Sequence, residues 1–239
     1  MTVKSKQQTS FQKDYISGLK LLLASVSSIQ IESGRCRDTD DTFDMIITST
    51  LTATITSSGA NGLDTGSEAA STFYYVWLIF NPSTKTYASL FSTSSTSPTM
   101  PSGYTKKRRV GVVRNDSSSD LLNFRQFGKG NNRKYLYQED QATTLRVLTG
   151  GTATAYTAVS VAAFVPSLAE FIILYVDVEL SSDDGWIRPG IPTTDYYFIT
   201  GNGTYIEMFY NDTGGADLAY KVTTGGDMDI AVLGFYEEL

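Results

Sequence analysis

The run Thr72–Phe80, TFYYVWLIF, limits the possible folds more than any other segment of this chain. It is rich in apolar and aromatic residues, and Asn81-Pro82 closes it with a turn-forming pair. A run of nine such residues suits a β-strand that is buried on both faces. The rest of the chain must therefore supply layers that cover this strand.

Further strand-like runs recur along the chain with Gly-, Asn- and Ser-rich turns between them, and only 18% of the residues are charged. This pattern predicts an all-β fold of antiparallel, jelly-roll-like β-sandwich units. We assign residues 1–17 to an N-terminal docking arm, 18–140 to a first β-rich domain and 141–239 to a C-terminal β-sandwich domain. Residues 11–25 are ambiguous, and we expect a short helix or an arm that runs into a β-hairpin.

Histidine is absent and Cys36 is the one cysteine. The chain therefore lacks the commonest general base at neutral pH, the Ser/His and Cys/His nucleophile pairs, and zinc sites built from His or Cys clusters. An intrachain disulfide is excluded as well. We predict that the protein is not an enzyme and needs no metal or cofactor.

The net charge of −6 argues against nucleic acid as a partner, and no apolar run is long enough to insert into a membrane. The charge is uneven, since nine Lys or Arg but only two Asp lie between Tyr104 and Tyr137. We expect this basic segment to line a strand edge or a subunit seam facing an acidic neighbour; nucleic acid and an anionic glycan are the alternatives. The residues concerned are Lys106, Lys107, Arg108, Arg109, Arg125, Lys129, Arg133 and Lys134.

Two further clusters of residues each have two alternative interpretations, one as a ligand-binding site and one as a purely structural element. Trp186, with Asp184 and Arg188 beside it, suits a loop that stacks on a sugar, although burial of the tryptophan is the commoner outcome. Four aspartates between Asp38 and Asp44 suit a hard cation such as calcium, but their spacing fits no regular calcium loop and favours a solvated turn.

The string Leu63-Asp64-Thr65-Gly66-Ser67 resembles the catalytic loop of aspartic proteases. That chemistry needs two carboxylates sharing one proton, so a dimer would have to supply the second copy of Asp64. The preceding residues SSGANG are not the hydrophobic strand of that family, and an Asx-type turn is the simpler interpretation.

Several stretches resemble virion proteins of tailed phages of the tail-fibre or adhesin type. They are GRCRDTDDTFDMII, NGLDTGSEAASTFYYVWLI, SLFSTSSTSPTMPSGYTKKRRVGVVRND and AVLGFYEEL. The resemblance covers about half of the chain, mostly between Gly34 and Asp116, and implies a β-rich, trimeric component with one end attached to the particle. It also implies that LDTGS is a turn of the family rather than a catalytic loop.

We therefore expect a homotrimeric tail fibre or adhesin that is located in the virion. Its N-terminal arm would dock to other virion proteins, and its displayed part would bind a host-surface glycan through multivalent weak sites. The alternatives are a capsid decoration or minor capsid protein that cements the head and, from a different class, a dimeric aspartic protease that uses Asp64.

Overall fold

The computed structural model describes residues 11–178, 184–190, 197–200, 203–210 and 218–239. Within them the fold is all-β and contains no helix, and antiparallel pairing dominates, which confirms the predicted sandwich class. No described segment is a helix of the length and apolarity that crossing a membrane requires. The strands are β1 (Ile16–Gly18), β2 (Leu21–Ser25), β3 (Ser28–Ile31), β4 (Gly34–Arg37), β5 (Asp44–Ile47), β6 (Leu51–Thr54), β7 (Gly62–Leu63), β8 (Phe73–Asn81), β9 (Thr86–Ser92), β10 (Lys106–Arg114), β11 (Phe124–Lys129), β12 (Asn132–Tyr137), β13 (Arg146–Gly151), β14 (Thr157–Val159), β15 (Ala169–Val178), β16 (Asp184–Pro189), β17 (Tyr197–Thr200), β18 (Thr204–Phe209), β19 (Leu218–Val222) and β20 (Met228–Glu238).

The chain forms two compact units that alternate along the sequence. The first unit contains the residues up to 69, 74–113 and 129–131, and the second contains 70–73, 114–128 and 132–239. The division differs from the predicted boundary at 140/141, because β12 pairs with β20 near the C-terminus. Tyr135 of β12 lies opposite Phe235 of β20, and their rings stack with centroids 4.7 Å apart.

The β8–β9 hairpin is the core of the first unit. It lies in a four-stranded sheet of order β10, β8, β9, β7, in which residues 75–81 of β8 pair antiparallel with β9. The side chain of Asn81 accepts hydrogen bonds from the backbone N–H groups of Ser83 and Thr84, which closes the turn. Every residue of β8 after Phe73 is buried, so the strand predicted to be buried on both faces is confirmed.

Two further groups of strands complete the first unit. One is the three-stranded sheet β1, β4, β5, and the other contains the neighbours β2, β3 and β6. The ring of Phe43, just before β5, stacks on Phe80 of β8 at 5.0 Å, and the N–H of Ile46 donates to the hydroxyl of Tyr87 on β9. Aromatic contacts thus tie the small sheet to the β8–β9 hairpin.

The N-terminal segment contains strands at the position where a short helix was one of two alternatives. The first ten residues of the predicted arm lie outside the described residues. Gly18 and Leu19 both have positive φ, +70° and +55°, which interrupts the extended chain between β1 and β2 and is incompatible with a helix. The helix alternative is therefore wrong, whereas the expected hairpin is confirmed by the antiparallel pairing of β2 with β3.

Strand β20 is the centre of the second unit. Strand β15 pairs along one side of it, β12 and β13 pair in turn along the other, and β18 pairs with the far side of β15. At Gly234 the carbonyl oxygen of Tyr135 occupies the place of a side chain, so any Cβ there would overlap it. This close approach requires glycine in the middle of the strand.

A smaller sheet of order β14, β19, β16, β17 belongs to the same unit. Gly185 of β16 lies against the side chains of Met228 and Val178 of the large sheet, and Ile187 is fully buried. The inner face of β16 therefore packs on the large sheet. Side chains alternate between the two faces of a strand, so Trp186, which lies between Gly185 and Ile187, must lie on the opposite face.

Candidate binding surfaces

Trp186 lies on a strand, not in the loop that the sequence predicted. Within β16, Gly185 and Ile187 are buried, whereas Asp184, Trp186 and Arg188 are half-buried on the outer face. The loop prediction failed because the glycine and proline of DGWIRP obscured an alternating strand pattern. The structure nevertheless places the three predicted glycan-contact residues on one face.

Tyr156 and Lys221 join Trp186 and Arg188 on this face. Lys221 of β19 is the register partner of Trp186, and its Nζ lies 4.5 Å from the centroid of the indole ring. The same ammonium is 5.1 Å from the centroid of Tyr156, one residue before β14, and the guanidinium carbon of Arg188 is 4.0 Å from that centroid. We call these four residues the Trp186 face; they form an alternating row of aromatic and cationic groups.

The two cations of the Trp186 face have no carboxylate partner in the part of the chain that the structure describes. The Nε of Arg188 is buried and makes no hydrogen bond to a described residue. Cation–π contacts hold both groups in place without neutralising their charge. The face can therefore offer positive charge to a ligand beside rings that stack.

The carboxylate of Asp184 is a hydrogen-bond acceptor on the same side of β16 as the Trp186 face. Its backbone N–H donates to the hydroxyl of Thr223 at 3.3 Å, and its carbonyl accepts from the N–H of Thr223 at 3.0 Å, which fixes the end of β16 against β19. Its carboxylate forms no ion pair with Arg188 or Lys221. A sugar is oriented in a binding site by rings that stack on it, by cations, and by a carboxylate that accepts hydrogen bonds from its hydroxyl groups.

The four predicted cations of β10 are divided between carboxylate partners and aromatic rings of the first unit. Lys106 pairs with the buried carboxylate of Asp38 at 3.0 Å, and Arg108 is buried and pairs with Asp14. Lys107 and Arg109 lie over the rings of β8, at 5.5 and 5.9 Å from the ring centroids. The sequence showed the run of cations but not the acidic and aromatic partners, which are distant along the chain.

The other four basic residues are also divided among different environments. Arg133 is 1% exposed and lies opposite Glu237 in the register of β12 and β20. Arg125 and Lys129 are exposed on β11, where Arg125 lies over the ring of Phe127. Lys134 pairs with Glu207 at 2.8 Å. The eight basic residues are thus divided among ion pairs, ring contacts, a buried strand position and exposed positions.

A second aromatic surface, which the sequence did not predict, lies on the large sheet of the second unit. Tyr205 and Phe209 of β18 are 67% and 66% exposed. They contact Tyr175 and Phe171 of β15, with ring centroids 5.5 and 4.3 Å apart, and Phe171 also meets Tyr236 of β20 at 6.1 Å. We call these five residues the β18 face. The alternation in TYIEMF was visible in the sequence, but its partners across the sheet were not.

One ion pair lies in the middle of the β18 face. Glu207 accepts hydrogen bonds from Lys134 and from the hydroxyl of Tyr236, both at 2.8 Å, and these donors hold the pKa of Glu207 below its usual range. Partial burial opposes the charge of Lys134, but the Glu207 carboxylate outweighs it and raises the lysine pKa. Both groups therefore stay charged near neutral pH, and together they neutralise this part of the face.

The aspartates between positions 38 and 44 are held by donors of the protein itself. Asp38 accepts hydrogen bonds from the N–H groups of Thr42 and Phe43, both at 2.7 Å, and from Lys106. Burial opposes its ionisation, yet the Phe43, Lys106 and Thr42 donors outweigh burial and lower the pKa of Asp38. Arg37 pairs with Asp44 at 2.7 Å, and the described residues contain no group of three or more metal-ligating side chains.

The LDTGS string follows the two-residue strand β7. Asp64 donates its N–H to the carbonyl of Phe91, and its carboxylate accepts the N–H of Thr99 at 2.9 Å. A cleft of about 280 Å³ beside the loop is lined by Gly66 and Glu68 but not by Asp64. The carboxylate thus joins two loops that are 35 residues apart in the chain, which differs from the local bond of the predicted Asx-type turn.

No family model, no curated protein and no solved structure matches this chain.

Proposed function

We propose that this protein is a non-enzymatic structural and adhesive component of a virus particle, of the tail-fibre type, that attaches to an anionic glycan on the host surface. The observation that carries the adhesive role is the Trp186 face, where two cations that pair with no described carboxylate alternate with two aromatic rings. The all-β scaffold and the resemblance to tail-fibre proteins support the placement in a virion.

The chemistry of the Trp186 face favours a sugar that bears a carboxylate or sulfate. The flat faces of Trp186 and Tyr156 match the apolar C–H face of a sugar ring. The guanidinium of Arg188 and the ammonium of Lys221 suit an anionic substituent, to which arginine can donate two parallel hydrogen bonds. Asp184 on the same face disfavours a continuous phosphate backbone, as does the net charge of −6.

The β18 face supports association with further copies of the chain, in a homotrimer. Exposed aromatic residues clustered on one sheet face are typical of protein interfaces. Since Lys134 and Glu207 neutralise each other within the chain, this face can be buried against a second copy with little uncompensated charge. The β18 face would join the copies and leave the Trp186 face to bind glycan.

Binding of purified protein to an array of neutral, carboxylated and sulfated glycans tests the adhesive role. We expect the acidic glycans to be retained, and Trp186→Ala and Lys221→Gln to lose this binding. Phe127→Ala is the matched control, because it removes an exposed aromatic residue that belongs to neither the Trp186 face nor the surface proposed to join the copies. Retention of neutral glycans only, of single-stranded DNA in preference to glycans, or of no glycan at all would contradict the proposal.

Light scattering tests the association. We expect a trimer at micromolar concentration, and dissociation when Tyr205→Ser and Phe209→Ser are combined. Trp186→Ala should leave the mass unchanged. A monomer at every concentration would remove this part of the proposal without affecting the glycan experiment.

Antibody labelling of whole particles separates the tail-fibre role from the capsid alternative. We expect signal on the tail. Signal confined to the head would favour a protein that cements capsid subunits, and an unlabelled particle would contradict both.

A further inference from the structure

Arg114 is a buried cation in the second unit that pairs with no carboxylate of the described residues. It is 9% exposed at the end of β10, and it forms no ion pair with any described residue. Nε donates to the carbonyl of Ala163 at 2.6 Å, and Nη1 donates to the carbonyl of Asn115 at 2.7 Å. The guanidinium carbon lies 4.9 Å from the ring centroid of Phe73, so the group is held firmly while its charge is not neutralised.

A guanidinium carries five N–H donors, and these two bonds use only two of them. Desolvation by burial lowers the pKa of Arg114 and outweighs the opposing effects of Tyr137 and Asp116, which favour the charged form. Arginine nevertheless stays protonated in proteins, so the charge persists. An anion that reached the remaining donors would gain more here than at the surface, because water competes less.

Arg114 lines a cavity of about 450 Å³. This volume lies within the range of sites that enclose small molecules, roughly 300 to 1,000 Å³. Ser71, Thr143 and Thr144 contribute hydroxyl groups to the wall, and Leu122 contributes an apolar surface. The cavity is therefore suited to a hydroxylated ligand about as large as one sugar ring.

Asp116 also lines the cavity and restricts the ligand further. Its Oδ1 accepts the N–H groups of Ser118 at 2.7 Å and Asp120 at 3.0 Å, which holds the turn in place. A bare anion would be repelled by this carboxylate. A ligand with an acidic group for Arg114 and hydroxyl donors for Asp116 satisfies both.

We propose that the Arg114 cavity is a second binding site, separate from the Trp186 face, for a small hydroxylated carboxylate such as a uronic acid residue. The carboxylate accepts hydrogen bonds from Arg114, and the hydroxyls donate to Asp116 and exchange hydrogen bonds with Thr143 and Thr144. No residue of the Trp186 face lines this cavity.

Titration with sodium glucuronate, followed calorimetrically and by two-dimensional NMR, tests the site. The Trp186→Ala variant is the background, so that binding at the Trp186 face does not contribute. We expect saturable binding that weakens about tenfold or more in Arg114→Met, because a charge-assisted pair is lost. Arg125→Met is the matched control, since it removes an exposed arginine from the same basic segment.

Ala163→Leu provides a variant that leaves the guanidinium intact. Ala163 is exposed and lines the cavity, so the larger side chain should block the ligand while the protein stays folded, even if Arg114→Met does not fold. Glucose and inorganic phosphate serve as probes that lack, respectively, the charge and the hydroxyls on carbon. Equal binding of either probe, unchanged binding in Ala163→Leu, or no saturable binding of glucuronate would overturn the proposal.

Discussion

The two tryptophans of the chain occupy opposite kinds of environment, and they show how the two units differ. Trp77 of the first unit is 2% exposed in the middle of β8, and its indole N–H donates to the carbonyl of Ser94. Trp186 of the second unit is half-buried on the outer face of β16, beside Lys221. In the first unit the aromatic surface is used for packing, whereas in the second part of it remains accessible.

The charged groups differ between the two units only in part. In the first unit, Arg37, Lys106 and Arg108 each pair with an aspartate of that unit, whereas Lys107 and Arg109 lie over aromatic rings. In the second unit, Lys134 and Arg146 pair with carboxylates, whereas Arg188 and Lys221 lie over aromatic rings and have no such partner among the described residues. Ion pairs are thus present in both units, and the contrast between the units rests on the two tryptophans.

Replacement of Trp77 should have the largest effect. We expect Trp77→Ala to lower the free energy of unfolding by about 4 kcal/mol, because a large buried ring leaves a cavity. Urea unfolding followed by circular dichroism measures the loss. If the free energy of unfolding fell only as much as it does when an exposed residue is replaced, β8 would not be the core of its unit.

Removal of the Asp38 charge should cause the second-largest loss of stability. Asp38→Asn breaks a buried pair with Lys106, and we expect a loss of roughly 3 kcal/mol near neutral pH. The folded-state pKa of Asp38 is lowered, so its contribution is complete above the unfolded pKa and disappears as the pH falls through the folded value.

The stability difference between wild type and Asp38→Asn should therefore narrow below about pH 4. The control is Asp40→Asn, which changes an exposed carboxylate four residues before Asp44. A pH-independent difference, or an equal loss in Asp40→Asn, would show that the Asp38 charge does not stabilise the first unit.

Trp186→Ala should cost much less stability than Trp77→Ala. We expect about 1 kcal/mol, because the ring is half-buried and lies on an outer sheet face. Urea unfolding again provides the measurement, with the exposed Tyr205→Ala as the reference. A loss near that of Trp77→Ala would make Trp186 a core residue and would end the contrast between the units.

Neutralisation of Glu207 should have the smallest effect. We expect Glu207→Gln to change the unfolding free energy by about 0.5 kcal/mol in the Tyr205→Ser/Phe209→Ser background, where the pair with Lys134 is not covered by a second copy. The difference from that background should shrink in high salt, which screens the attraction. Glu170→Gln, an exposed carboxylate on β15, is the control, and a salt-independent loss of several times this size would contradict the surface assignment.

Local patterns predicted the strands well because they record which side chains a strand must bury. The run TFYYVWLIF gave β8 directly, and alternation in TYIEMF gave β18. The same kind of pattern in DGWIRP was missed, because its glycine and proline are typical of loops. Its glycine packs against Met228 of another sheet, and no local pattern records that contact.

By itself, the sequence determined the all-β class and the absence of histidine-based chemistry, since both depend on residue type and short-range alternation. Only the tertiary structure decided that Asp38 neutralises Lys106, 68 residues away, that β12 pairs with β20, and that Tyr156 and Lys221 join Trp186. The reason is that sheet pairing brings together residues far apart in the chain. Whether a charged or aromatic side chain is satisfied or left available depends on those distant partners.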